Sequence, residues 1–388
     1  MIWFYWISGI ALALLWLIPV IDTALHFHLI QDITEPRWDP PGDARLPSLT
    51  IVVPARNEEL AIEAALRSLL ALDYPQFEII AVNDRSDDRT GDIMDRLAAE
   101  IPSQGKLRIL HVRELPPRWL GKTHAMWLGA QQGSGEWILF TDADCIFRPD
   151  ALRRAIYYAV RNALDHLVLL PTMHMHTLGE QMMVSFPQVA AGFVLRLWKV
   201  RDPDARDHIG AGAFNLVRRG AYTAIGGFEA LRLEVVDDIK LGEALKKAGS
   251  RQDVVYGRDL VGLRWFEGAL GLVRNLEKNM FAFLRFRLGL VFAACLADIF
   301  LNVWPFLGLI LAPGWAKAAF GFAVAMVAVR YFQGVPLSGV SGFLFVAHPI
   351  SGLLTAVAIL RSAFAAVRDG AITWRGTKYP LEELRKKQ

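Results

Sequence analysis

The chain has 388 residues, 53% of them hydrophobic, with 12 Trp, 22 Phe and a mean hydropathy of +0.29, which gives room for about two domains and excludes disorder for most of its length. A charged fraction of 21% and a net charge of +3 give no global sign of a nucleic-acid binder, which would normally show a basic face or stripe, so no nucleic acid is expected as a partner. Two cysteines cannot build a disulfide scaffold; Cys145 in an acidic run and Cys295 in an apolar one are not expected to pair.

The apolar excess sits at the two ends. Met1 to Ile21 carry no charge and include Trp3, Phe4, Trp6 and Leu14 to Leu17, so residues 1–22 read as a transmembrane anchor. A signal peptide fits poorly, for want of a basic start and a small-residue cleavage site. Residues 23–45 are a linker, and Glu35 to Pro47 hold four prolines. From Leu46 short β-rich runs (Leu49–Val53, Phe77–Val82, Leu107–Val112, Trp137–Thr141, Leu167–Leu170) alternate with helical stretches (Glu58–Leu72, Thr90–Ile101, Lys122–Gln132, Asp150–Asn162). This predicts an α/β domain over residues 46–285, with a mainly parallel sheet covered by helices.

Gln181 to Lys199 is apolar enough for an amphipathic helix that either lies on a bilayer and presents a lipid or packs on the sheet. Leu288 to Ala312 carries one charge, Asp298, and Ala316 to Phe332 and Val340 to Leu360 follow with few. Residues 286–362 are therefore read as transmembrane or interfacial helices, and residues 363–388 as a basic tail with Arg368, Arg375, Lys378, Arg385, Lys386 and Lys387. Lys and Arg begin at Arg37 and are dense through Arg287, which puts the central domain in the cytoplasm and the amino terminus outside, in a multi-pass protein of the cytoplasmic membrane. The basic tail argues for the inside, whereas three full spans after Arg287 would put it outside. Val340 to Leu360, interrupted by His348-Pro349, is the segment that could be re-entrant or interfacial, and the parity stays open.

In an open parallel sheet, ligands lie beyond the carboxyl ends of the strands. Three such ends carry polar runs: Pro54-Ala55-Arg56-Asn57-Glu58, Asn83-Asp84-Arg85-Ser86-Asp87-Asp88 and Thr141-Asp142-Ala143-Asp144. Each alone has the composition of an ordinary turn; three at successive strand ends point to a site. Asp142 and Asp144 suit a hard divalent ion that neutralises a diphosphate. Gly121-Lys122-Thr123 fails the Walker pattern, because Pro116 stands where its first glycine is required, so Lys122 is a lone cation that either meets a phosphate or has a structural task. Gly210-Ala211-Gly212 lacks the third glycine of a dinucleotide fingerprint and reads as a close-approach turn near the site.

With Ser68-Leu69-Leu70, Tyr74-Pro75, Gly226-Gly227-Phe228 and Val236-Asp237-Asp238-Ile239-Lys240-Leu241 in the same order, residues 46 to about 265 resemble family 2 glycosyltransferases with the GT-A fold. The membrane layout resembles the lipid-directed branch, which includes ceramide glucosyltransferase and the hopanoid-associated and carotenoid glycosyltransferases. The resemblance implies that Pro54, Ala55, Arg56, Asn57, Glu58 and Asp84 hold the base and ribose of a nucleotide-sugar donor, most often a UDP-sugar. It implies that Asp142 and Asp144 serve the ribose and a divalent metal, Mg or Mn, and that Asp238, beside Asp237, is the general base of an inverting transfer. Three departures stand out: Asn83 where an Asp is usual, Arg85 where a small or acidic residue is common, and Asp237 in place of a Glu. Arg264-Trp265 matches an Arg-Trp pair that in related membrane transferases lines the acceptor region; an interfacial anchor explains it equally well.

The expected activity is transfer of one sugar to a membrane lipid hydroxyl. Asp237 and Asp238 could equally be acids favoured at the start of a helix, and the two tasks are compatible. A processive polysaccharide synthase shares such a domain, but two to four membrane segments are few for an export channel. A catalytically silent donor-binding scaffold would not need this set of acids.

Overall fold

The computed structural model describes residues 2–42, 44–100, 106–191, 193, 195–276, 279–374 and 377–385; Ile101, Gly192, Val194, Arg375, Lys386 and Lys387 of the segments named above lie outside them. The chain divides into two compact units, one of Ile30–Thr172 with Leu197–Leu263, the other of Met1–Leu29, Met173–Arg196 and Arg264–Gln388.

The first unit is built on an eight-stranded sheet. Its strands are β1 (Gln31–Asp32), β2 (Leu49–Ala55), β3 (Phe77–Asp84), β4 (Leu107–Val112), β5 (Trp137–Phe140), β7 (His166–Leu170), β9 (Asn215–Arg218) and β10 (Gln252–Tyr256). The short β6 (Ile146–Phe147) pairs with β11 (Val261–Leu263), and β8 (Thr172–Met173) falls at the border of the two units. Across the large sheet the order is β1-β10-β7-β9-β5-β2-β3-β4. All neighbours are parallel except β9, which runs antiparallel to both β5 and β7. The five strands expected from the sequence are all present. β1, β9 and β10 are additional: β1 has two residues, β9 begins with Asn215 and β10 with Gln252-Asp253, so none shows a plain apolar run.

Helices α2 (Ile62–Leu70), α3 (Thr90–Glu100), α4 (Gly121–Gln132), α5 (Ala151–Arg161) and α9 (Asp237–Lys247), with the short α7 (Arg219–Ala224) and α8 (Gly227–Ala230), complete this unit. Ile51, Val52, Val53, Ile79 and Ile80 are fully buried, as strands covered on both faces require. One core cluster joins Val52, Met126, Ile138, Phe140, Val217 and Phe228 to Leu241 and Leu245. Leu241 and Leu245, one helical turn apart, thereby hold α9 by one face and fix where its first residues, Asp237 and Asp238, stand.

Among the described residues of the second unit, four helical segments are long and apolar enough to cross a membrane: Ile2–Leu29, Leu288–Leu311, Ala316–Val335 and Gly342–Asp369. They contain α1 (Ile2–His26), α12 (Leu288–Asp298), α13 (Trp304–Leu311) and α15 (His348–Asp369) and most of α14 (Ala316–Ser338), while α6 (Leu178–Ala191), α10 (Gly268–Leu276) and α11 (Met280–Phe283) lie outside them. Trp3, Ile7, Ile18, Phe292, Leu296, Ile310 and Phe364 are exposed, which suits helices solvated by lipid. His348-Pro349 does not interrupt a helix. It opens α15, and Pro349 falls in the first turn, where a missing N–H costs no hydrogen bond. Between α12 and α13 the chain makes a π-turn, Ile299–Val303, and Trp16 Nε1 donates to the Leu301 carbonyl at 3.0 Å, pairing a backbone acceptor inside an apolar layer. The α6 helix belongs to this unit, where Met183 and Val184 pack with Phe266, Ala269 and Leu354.

Candidate active site

β5, β2 and β3 are adjacent and parallel, so the loops after them open side by side at one end of the sheet. β9 runs the opposite way and pairs Asn215 with Phe140, so the residues leading into it, Gly210–Phe214, arrive at that same end. The three polar strand ends and the glycine turn are therefore brought together by strand direction alone.

The loops after β2 and β3 are stitched to each other. Asn57 N donates to Ser86 Oγ (3.0 Å), Glu58 N to Thr90 Oγ1 (2.7 Å) and Asp87 N to Asn57 Oδ1 (2.9 Å). Asn57 and Arg85 both adopt left-handed backbone, φ 53° and 55°, a strained conformation for residues with side chains. Asp84 is buried and held bidentately by Arg85, at 2.7 and 3.1 Å, with Arg56 at 3.9 Å. Arg85 thus secures the carboxylate next to it. Asn83 faces the sheet: its Nδ2 meets His111 Nδ1 at 3.1 Å and its Oδ1 accepts from Ser86 N, so an amide here braces the turn.

Lys122, in the first turn of α4, lies between two acids, with Nζ 2.7 Å from Asp142 Oδ1 and 3.4 Å from Asp237 Oδ2. Burial works against its charge, but the neighbouring Asp142, Asp237 and Asp238 raise its pKa and keep it ionised. Asp237 is pushed up to about 6 by burial and by the charges of Asp238 and Asp142, against the pull of Lys122. Asp238 also moves up, again through burial first, although it accepts hydrogen bonds from Gly212 N (Oδ2, 3.0 Å) and Ile239 N (Oδ1, 2.8 Å). Asp144 rises to about 6 from burial and from the charges of Asp142 and Glu58.

The glycine turn ties the two acid groups into one frame. Gly212 donates to Asp238 and accepts from Asp142 N at 3.0 Å, and a Cβ on Gly212 would overlap the Asp142 carboxylate. A Cβ on Gly210 would overlap the Asp238 carbonyl, and one on Gly242 the Ile209 carbonyl, so α9 and the turn touch backbone to backbone. Asn215 is a member of this frame that the sequence reading did not single out. Burial holds His166 down to about 4, so its ring is neutral; it hydrogen-bonds Asn215 Oδ1, which turns Asn215 Nδ2 toward the Asp238 carbonyl (3.4 Å). A lone amide inside the apolar run Phe214-Asn215-Leu216-Val217 was the available signal.

Lys122, Asp142, Asp237 and Asp238 therefore share one cluster, with Asp84 at the end of β3, two strands from β5. Arg264 and Trp265 belong to the other unit. There Arg264 Nη2 pairs with Glu180 Oε1 at 2.8 Å and Nη1 with Glu267 at 3.0 Å, and Trp265 stays partly exposed beside Phe266. Glu180, buried, also accepts from His176 N and Gly268 N, and the Arg264 hydrogen bond leads in holding its carboxyl down to about 2.

Residues 50–226 match the family described as Glycosyl transferase family 2. A 4,4'-diaponeurosporenoate glycosyltransferase of Staphylococcus aureus (strain MRSA252) is 23% identical over 342 residues, covering 87% of this chain and 89% of its own. A mannosyltransferase of Pyrobaculum calidifontis, solved in complex with GDP-Man and Mn²⁺, superposes with a TM-score of 0.53 at 19% identity over 93% of this chain and 98% of its own. The mainly parallel sheet with acid-lined strand ends has the GT-A fold, residues 50–226 match family 2 glycosyltransferases, and the protein is a glycosyltransferase.

Proposed function

We propose that the protein moves one sugar from a nucleotide donor, a UDP-sugar, to the hydroxyl of a membrane lipid, with inversion at the anomeric carbon. The observation that carries this reading is the single frame in which Lys122 links Asp142 to Asp237 and Gly212 links Asp142 to Asp238. Donor-side and base-side groups are thereby held at a fixed spacing. The relative named for diaponeurosporenoate, a carotenoid lipid, supports a lipid acceptor, as do four segments able to cross a membrane. The dense Lys and Arg of the central chain favour a catalytic domain on the cytoplasmic side of the cell membrane.

Pro54 to Glu58 and Asp84 would receive the base and ribose, and Asp142 the ribose or the ion. A divalent cation, Mg²⁺ or Mn²⁺, fits Asp144 and Asp142: the Asp144 carboxyl is pushed up by burial and by the negative charges of Asp142 and Glu58, an imbalance that a cation relieves. The mannosyltransferase solved with Mn²⁺ points the same way. When bound, the ion supplies neutralising charge at the departing diphosphate.

Asp238 is the base. Its two backbone hydrogen bonds orient the carboxylate, and burial makes it a stronger proton acceptor than an exposed aspartate. As the acceptor oxygen bonds to the anomeric carbon, its proton passes to Asp238, and the bond to the diphosphate breaks with its electron pair leaving on the diphosphate. Lys122 keeps a positive charge beside the leaving group, and Asp237 holds that ammonium in place. Arg264 and Trp265 are assigned to the acceptor side.

The decisive experiment incubates the purified protein in nanodiscs carrying membrane lipids with a panel of UDP- and GDP-sugars and Mg²⁺ or Mn²⁺, followed by mass spectrometry of the lipid fraction. A lipid heavier by one glycosyl residue is expected. A polymer would favour a processive synthase, and a soluble product alone would overturn the lipid acceptor.

A further inference from the structure

Three buried polar side chains stand on the sheet face that carries α9, one on each of three adjacent strands. His166 of β7 lies opposite Gln252 of β10 and opposite Val217 of β9, and Asn215 is two residues from Val217, so all three point to the same face. Val217 shares that face and belongs to the apolar cluster of Leu241 and Leu245.

Two of the three reach the helix. Asn215 Nδ2 donates to the Asp238 carbonyl at 3.4 Å, and Gln252 Nε2 donates to the Gly242 carbonyl at 2.6 Å. Positions 238 and 242 are about one helical turn apart on the same side of α9. The third side chain sets the direction of the first. Burial keeps His166 neutral, and its Nε2 bonds Asn215 Oδ1. Because the Asp238 carbonyl can only accept, Asn215 must turn Nδ2 toward it and Oδ1 toward His166, so His166 Nε2 carries the ring proton. Without that N–H the amide is free to flip and set oxygen against oxygen.

His166 Nδ1 and Gln252 Oε1 are shielded and have no hydrogen-bond partner among the described residues, which is destabilising in a buried layer. What polar groups add in such a place is register. Leu241 and Leu245 fix which side of α9 faces the sheet, but apolar contact is non-directional and resists sliding along the helix axis poorly. Directed bonds to two carbonyls of the helix resist it. Asp238 is the second residue of α9, so any slide carries its carboxylate away from Gly212 N, now 3.0 Å from Oδ2.

We propose that His166, Asn215 and Gln252 are positioning residues for the transfer: they lock α9 along its own axis and so set where the carboxylate of Asp238 stands. This rests on Asp238 acting as the base.

The test uses the full chain in nanodiscs, with the donor and lipid pair that the assay above identifies. Asn215→Leu and Gln252→Met remove the N–H groups at similar volume. His166→Leu removes the group that orients Asn215, whereas His166→Gln keeps a donor near the place of Nε2. A misplacement of about 1 Å can cost a reaction about 100-fold, so kcat should fall about tenfold or more in Asn215→Leu and His166→Leu, with donor KM within about twofold. His166→Gln should recover most of the loss, which a general loss of packing would not allow. Hydrogen exchange over residues 238–242, read well below the melting temperature, should quicken in both leucine variants. Should Asn215→Leu fail to fold, the two His166 variants decide. Unchanged kcat, a loss that His166→Gln does not recover, or a loss with unaltered exchange over 238–242 overturns the proposal. Asp238→Asn is assayed beside them. If it turns over almost normally the base assignment fails, and the exchange measurement, which needs no turnover, then tests the lock by itself.

Discussion

The two units organise their polar groups in opposite ways. In the catalytic unit Asp84, Asp142 and Asp238 sit at strand or helix ends, each beside a cation, the adjacent Arg85 or Lys122 of α4, or beside backbone donors. In the membrane unit Asp298, Asn302, Tyr331 and His348 come from three separate apolar segments and satisfy one another through side chains only. The first arrangement follows from where strands end. The second depends on helices that meet far apart in sequence, and on aromatic rings that keep the imidazole neutral.

The contrast can be broken most sharply at the base. Asp238→Asn should lower kcat between about 100- and 10,000-fold, the range for a lost general base, while calorimetry finds donor affinity within about twofold; near-normal turnover would move the base elsewhere. Next in size is the frame that holds it. Gly210→Ala pushes a methyl group into the Asp238 carbonyl, and overpacking of this kind costs about 1–3 kcal/mol, so the purified protein should melt earlier and transfer more slowly. An unchanged melting curve would show that the turn yields more easily than its contacts imply.

Lys122→Met should raise the donor KM by about tenfold, or ~1.4 kcal/mol, and should also move a pH limb. Asp237 titrates near pH 6, pushed up by burial and held back by Lys122. Activity of the unaltered enzyme should therefore fall as pH drops through about 6, and in Lys122→Met that fall should begin at higher pH. A kcat/KM profile that stays flat from pH 7 to 5 would remove Asp237 from the mechanism.

The smallest effect separates the two units by the sign of their response to acid. Between the ordinary aspartate range and about 6 the folded chain holds a proton on Asp237 that the unfolded chain does not, so this group's contribution to stability grows as pH falls through that window. Glu180 behaves inversely. Its carboxyl is held down to about 2, mainly by Arg264, so the stability it contributes is present above the ordinary glutamate value and is lost as pH falls from about 4.5 toward 2. Glu180→Gln should flatten the acid arm of the melting temperature against pH, and Asp237→Asn should steepen it. A shared sign would dissolve the distinction.

Much of the catalytic unit was legible because its signals are local. Alternating β-rich and helical runs gave five strands within a few residues of their ends, and Asp142 and Asp144 stood out after an apolar strand. β9 was missed because four residues that open on an amide and close on an arginine give no periodicity, and its antiparallel direction, which delivers Gly210–Gly212 to the acids, is set by neighbouring strands. Asn83 and Arg85 stood out as departures from the family pattern. Their contacts give them bracing tasks, one against His111 and the other on Asp84, and side-chain direction is what a sequence motif leaves out. The relay ending at Asp298 was illegible for a related reason. Asn302, Tyr331 and His348 are single polar residues in three apolar runs, and only helix packing makes them neighbours.

The turn at Gly210–Gly212 has no functional group of its own, yet it sets the spacing between Asp142, proposed to meet the donor, and Asp238, proposed as the base. Its bond from Asp142 N and its close approach to the Asp238 carbonyl are backbone to backbone, so side-chain chemistry does not move where the two residues stand. On the proposed assignment, donor preference can drift through residues 54–58 and 83–88, whose loops are joined by hydrogen bonds to side chains, while the reach from leaving group to base stays constant. Selection for new sugars on this scaffold should therefore gather substitutions on one side of the cleft and leave the glycine turn untouched.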